Sequence, residues 1–169
     1  MPIPVALCGK NPNMASHFTE VMGPEYYGRT SMFTPTACYI LTRCIVSHVF
    51  HDPSAVSSEL PGLLRGDTVK PSSNLGTNAS ADKTIAPKAI IVGAGFSRSE
   101  LDQMLKLEGA AGIPWLYPSA LKMAQTGAST LFGGDFMSSI VNRAKSTMRD
   151  HGLVVEGKEG SVKPGVWDF

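Results

Sequence analysis

One stretch limits the possible folds more than any other: Ala89-Ile90-Ile91-Val92-Gly93-Ala94-Gly95-Phe96-Ser97. Its aliphatic run has no polar alternation, so both faces of the strand it forms must be buried. That is the condition of a central strand in a parallel sheet covered by helices on both sides. The run ends on Gly93 and Gly95 and enters Ser97-Arg98-Ser99-Glu100, the spacing of a helical capping box. Pro4-Val5-Ala6-Leu7-Cys8-Gly9-Lys10 repeats the plan near the amino terminus: a short buried strand, then a glycine turn.

The rest of the chain alternates in the same way. After the first strand, Asn11-Pro12-Asn13 starts a helix whose apolar face is Met14, Phe18, Val21 and Met22, and Gly23-Pro24 stops it. Ile45 to Phe50 reads as a second strand. Asp52 caps the next helix with Pro53 in its first turn, and Pro61 is expected to divide that helix into two short pieces. Leu101, Met104, Leu105 and Leu107 face inward after the third strand, and Gly109 and Gly112 close that helix. Ile113 to Tyr117 is a fourth strand, and Ser119 to Thr130 has no clear period. A last helix, capped by Asp135, runs from Phe136 to Asp150 on a stripe of Phe136, Ile140, Val141, Ala144 and Met148. Leu153-Val154-Val155 is a candidate short strand, and 156–169, ending Trp167-Asp168-Phe169, reads as a tail that can still dock an aromatic.

Strands joined through helices require right-handed crossovers. The expectation is a three-layer α/β domain over 1–169, Rossmann-like or flavodoxin-like, with a mostly parallel sheet of four or five strands in order 2-1-3-4. A topological switch point then falls between the first and third strands, where ligands of such sheets bind.

Two segments depart from the pattern. From Gly66 to Pro87 the chain is a long polar loop, unusual within a compact domain unless it serves as a lid. Residues 27–44 have neither helical nor strand period and hold Cys38 and Cys44. Without them, the first helix would reach the second strand across a short turn. Two readings stay open: an in-frame insertion such as a retained intron, or an extended loop with an added edge strand from Ala37 to Leu41.

A length of 169 residues suits one domain, and a chain of this size buries roughly 70% of its unfolded surface. With 43% hydrophobic and 17% charged residues, the composition is globular. A formal charge of +1 with no lysine/arginine cluster argues against nucleic acid or an acidic membrane as partner. Met1-Pro2-Ile3-Pro4 lacks a secretory layout, and no apolar run approaches the length of a membrane span. Three cysteines (Cys8, Cys38, Cys44) without metal-type spacing fit free thiols in a reducing compartment, so the cytoplasm is expected.

Candidate chemistry concentrates on the two glycine turns. Gly93, Gly95 and Ser97 can present backbone N–H groups at a helix start to an anion or phosphate. Arg98, however, occupies the place of the third glycine in the dinucleotide fingerprint, and such a turn also needs glycine for its dihedrals alone. Gly9, Lys10, Asn11 and Asn13 occupy the corresponding place on the first strand and offer an ammonium and two amides, or only a solvated Asn-Pro turn. A nucleotide or dinucleotide is therefore the cofactor class considered. Ser73 and Asn74, with Ser72, would bind substrate if the polar loop closes over the switch point. Cys8 and His51 end neighbouring strands and are the weak catalytic candidates, as thiol and base. A core role is the alternative for Cys8, and His48 on the second strand reads as structural. No metal-ligand cluster, carboxylate pair or serine-triad pattern is present in the sequence.

The strings Pro4 to Pro12, Leu63-Leu64-Arg65-Gly66, Pro71-Ser72-Ser73-Asn74-Leu75-Gly76 and Pro114-Trp115-Leu116 resemble a group of small, mostly uncharacterised fungal α/β proteins. Some of that group are encoded beside secondary-metabolite genes. The resemblance implies a Rossmann-like fold and a fungal setting, and carries over no catalytic residue; 27–44 departs from the group. Two functions are therefore set against each other. One is a small-molecule or phosphate-containing ligand binder, an accessory enzyme of fungal metabolism, with a polar pocket on which Lys10 and Ser97 converge. The other is a non-catalytic interaction module, able to form a homo-oligomer, with structural glycine turns and an exposed apolar patch.

Overall fold

The computed structural model describes residues 2–23, 44–120, 136–153 and 162–169. Its element order is β1 (Ile3–Cys8), α1 (Pro12–Met22), β2 (Cys44–Phe50), α2 (Pro53–Arg65), β3 (Ala89–Val92), α3 (Arg98–Met104), β4 (Pro114–Tyr117), α4 (Phe136–Asp150) and β5 (Gly165–Asp168). Short 3₁₀ turns occur at Thr77–Ala79 and Ala110–Gly112. All five strands are parallel, in order β2-β1-β3-β4-β5. The chain is thus a three-layer α/β protein with the strand order of flavodoxin-like sheets, and its switch point lies between β1 and β3.

Two apolar layers clamp the sheet. Leu7, Val49, Ile91 and Leu116 face α1 and α4, where Phe18, Met22, Val141 and Met148 are buried. On the opposite face Ala6, Phe50, Ile90, Val92 and Trp115 meet Val56, Leu60, Leu63, Leu101 and Met104. The unbroken aliphatic character of β3 has its cause here: all four of its residues are buried.

Helix starts follow the expected caps. The Asn11 side chain accepts hydrogen bonds from the Asn13 and Met14 amides, and Asp52 accepts from Ala55 at 2.8 Å. Pro61 does not divide α2, which runs unbroken from Pro53 to Arg65. Burial of Val56, Leu60 and Leu63 along one face holds the turns together across the missing N–H.

Three other expectations change. The tail docks its aromatic, His151 stacking on Trp167 with centroids 4.4 Å apart, but it also forms a strand: Gly165–Asp168 pairs with β4 as the fifth. Leu153 is buried but belongs to no strand, and 154–155 lie outside the described residues. Cys44 opens β2, where it pairs with Ile3. The remainder of 27–44, including Cys38 and the candidate strand Ala37 to Leu41, lies outside the described residues, as do Asp135 and most of Ser119 to Thr130.

The long polar loop lies along the β2 edge of the sheet. It packs along β2, whose partner in the sheet among the described residues is β1. Ser73 Oγ donates to the Val49 carbonyl at 2.7 Å, and Leu75 packs against the core. Asn78 is buried and bridges to both backbone groups of Ile85. Lys70 Nζ donates to the Ala81 carbonyl. An exposed strand edge invites pairing with other chains, and this segment covers it.

A bulge in β2 sets which side chains face which layer. The register to β1 slips between Val5↔Val46 and Ala6↔His48. Cys44, Val46 and Val49 therefore share the α1/α4 side, while His48 and Phe50 turn toward α2. Strict alternation would have placed His48 with Val46.

Candidate functional site

β1 and β3 pair from Val5↔Ala89 to Cys8↔Val92, which carries both glycine turns to the same lip of the sheet. The backbone of the second turn is pressed against the first strand's end. Gly93 N–H donates to the Cys8 carbonyl at 2.7 Å, and a Cβ on Gly93 would stand 2.9 Å from that oxygen. Close backbone approach, and not a positive φ, is what requires glycine there.

Beneath this lip lies a pocket of about 250 Å³. Its lining combines the ends of β1 and β3, the two turns, and the facing sides of α1 and α4: Leu7, Ala15, Phe18, Ile91, Met137 and Phe169 form its deep walls, with Met14, Phe136 and Ile140 nearer the mouth. The walls are almost wholly apolar. The mouth residues have a simple origin. The apolar stripes of α1 and α4 are wider than the surface they bury, leaving Met14 44% exposed and Phe136 and Ile140 half-buried. Sequence periodicity placed all three in the core. It therefore missed Ala15, the buried small residue that leaves room for the pocket.

Of the candidate ligand-binding residues, Gly9, Lys10, Asn11, Gly93 and Gly95 line this pocket. Asn13 and Ser97 do not. The convergence expected of Lys10 and Ser97 takes place on Glu100. Lys10 Nζ lies 2.7 Å from Glu100 Oε1, while Glu100 Oε2 accepts from the Ser97 amide at 2.7 Å and the Ser97 hydroxyl at 3.0 Å. The amide of Glu100 in turn donates to Ser97 Oγ at 3.2 Å. The start of α3 is thus filled by the chain's own carboxylate. Hydrogen bonding to Lys10, and then to the Ser97 amide and hydroxyl, pulls the Glu100 carboxyl down to about 2. Ser73 and Asn74 lie at the β2 edge, outside the pocket lining.

The thiol–imidazole pairing does not form. His51 Nδ1 lies 2.8 Å from the Gly9 carbonyl, to which it donates, and thereby ties the end of β2 to the first glycine turn. Cys8 is fully buried, and burial pushes its thiol far above the ordinary range, so it holds its proton as a core residue.

A second polar arrangement had only a weak sequence signal. His48 Nε2 lies 2.7 Å from Glu59 Oε2, and Glu59 Oε1 accepts from the Ser72 amide at 3.1 Å. Both side chains are buried, and His48 Nδ1 has no hydrogen-bond partner. A proton on Nδ1 would be stranded, so His48 is neutral and donates Nε2–H to the carboxylate. Burial moves its pKa in the same direction, below 6.5, against the opposing pull of Glu59. The pair joins β2, α2 and the polar loop. It is structural, as expected for His48, but its partner was not legible without the bulge.

Among the described residues, no group of three or more His, Cys, Asp or Glu is placed to hold a metal, and no helix is long and apolar enough to cross a membrane.

The fold and pocket define a three-layer α/β protein with an apolar concavity at its switch point. The chain is similar to a fungal protein: it is 27% identical over 149 residues to Kojic acid related protein 6 of Aspergillus oryzae, covering 86% of this chain and 76% of the relative. No family model matches the chain, and no solved structure matches it.

Proposed function

We propose that this protein binds a small, mainly apolar molecule at the carboxyl edge of its parallel sheet, in the pocket between the β1 and β3 turns. The observation that carries this reading is the coincidence of an apolar cavity of about 250 Å³ with the switch point of the sheet, the position where open α/β sheets bind ligands. A dry cavity of roughly 150 Å³ accepts a benzene ring, so the volume suits one or two rings. Similarity to a relative named for kojic acid supports a role in fungal secondary metabolism, as a carrier or as an accessory to an enzyme. The described cysteines, Cys8 and Cys44, are free and buried, which fits a cytoplasmic setting.

The expected result of a thermal-shift screen follows from ligand linkage. A small aromatic or pyranone compound (kojic acid included in the panel) at about a hundred times its Kd should add about 2.7 kcal/mol of stability. For a chain of this length, that raises Tm by about 5–10 °C. Ile140→Trp, which pushes a large ring into the pocket from a half-buried position, should abolish the shift while the variant still melts cooperatively. A full shift in Ile140→Trp would move the binding site elsewhere.

A further inference from the structure

We infer that the Lys10–Glu100 ion pair is a selectivity device that keeps positive charge out of the pocket, so that the site takes uncharged ring compounds and rejects their carboxylate and phosphate counterparts. This rests on the pocket reading above. Lys10 is the one lysine among the described lining residues, and its path is the informative feature. Its stem lies across Gly95, with Cβ, Cγ and Cδ 3.5 to 3.7 Å from where a Gly95 Cβ would be. The ammonium then stands 5.0 Å from the centroid of the Phe96 ring and 2.7 Å from Glu100. Phe96 belongs to the α2/α3 layer, whereas the deep walls of the pocket belong to the α1/α4 layer. The chain thus crosses the lip of the sheet and delivers its charge to the far side.

Phe96 is itself fixed, because Tyr117 Oη donates to its carbonyl at 3.0 Å and the ring is 1% exposed. Glu100 is fixed by its cap to Ser97 and stays ionised far into the acid range. An anionic ligand would have to compete with this carboxylate for Lys10, or lie uncompensated against apolar walls, which is costly. A neutral ring meets neither obstacle. The residue that determines specificity is therefore Glu100, acting through Lys10 without lining the pocket.

The test uses two probes with one ring body, naphthalenemethanol and naphthoate, titrated calorimetrically at neutral pH. Wild type should bind the alcohol about tenfold or more tightly than the carboxylate. Glu100→Gln removes the charge and keeps a capping-box side chain. It frees Lys10, which already borders the mouth, and should tighten naphthoate about threefold or more while leaving the alcohol unchanged. Adding Lys10→Met to that variant should cancel the gain. Two results overturn the inference alone: equal binding of both probes to wild type, or an unchanged ratio in Glu100→Gln. Naphthoate that binds none of the proteins while the alcohol binds overturns the inference alone, and failure of both probes to bind any of the proteins overturns the pocket reading with it.

Discussion

Gly76→Ala is expected to destabilise the protein by about 3 kcal/mol or more, lowering Tm by about 10 °C. The residue has φ +91° and ψ 166°, in a backbone region that is essentially reserved for glycine. The space is closed as well. A Cβ there would lie 2.7 Å from the Ser47 carbonyl oxygen, 2.8 Å from its carbon and 2.9 Å from the His48 nitrogen. All three are backbone atoms at the β2 bulge and cannot swing aside. Gly66→Ala is the natural comparison: φ is +87° but no atom lies within 4 Å. It should cost only the left-handed strain, about 1–2 kcal/mol. Equal losses in the two variants, read by denaturant melts, would remove the close-packing explanation and leave dihedral strain alone.

Glu59→Ala is expected to cost about 2–3 kcal/mol, because it strands the buried His48 Nε2–H and also removes the acceptor of the part-buried bond from the Ser72 amide. Glu59→Gln retains an acceptor oxygen and should lose about half as much. The same pair fixes a pH dependence. His48 titrates lower when folded than its ordinary 6.5, so the unfolded chain binds the extra proton between those two values. Stability is accordingly full above about 6.5 and falls as pH drops through the window beneath it. His48→Gln should flatten that part of the curve. A wild-type stability that rose on acidification from 6.5 would show that His48 is charged in the folded state.

Much of the fold was legible because the sequence signals were local. Four strands, four helix positions, the caps at Asn11, Asp52 and Ser97, and the placement of both glycine turns at the switch point all follow from short patterns. Where the reading failed, a longer-range contact decided. Pro61 was outweighed by the buried face of α2, and a tail of only four paired residues became β5 through its register with β4. The polar loop is held along β2 by Ser73 and by Gly76 at the bulge, contacts that no periodicity announces. In the site, five of the nine candidate ligand-binding residues line the pocket. The apolar character of its walls was missed because Met14, Phe136 and Ile140 look like ordinary stripe residues until their helices are docked. Lys10 and Ser97 meet on Glu100, already visible in the capping box, and not on a polar pocket.

The most direct test of the account is amide NMR mapping of a small neutral aromatic, naphthalenemethanol, titrated into the labelled protein. Shifts should concentrate at Gly9, Ala15, Gly93 to Gly95, Ile140 and Phe169, the residues that enclose the cavity at the β1/β3 lip. Shifts gathered instead around Leu64, Lys88 and Gly112, the open groove on the opposite side of the sheet's ends, or no shifts at saturating probe, would contradict it.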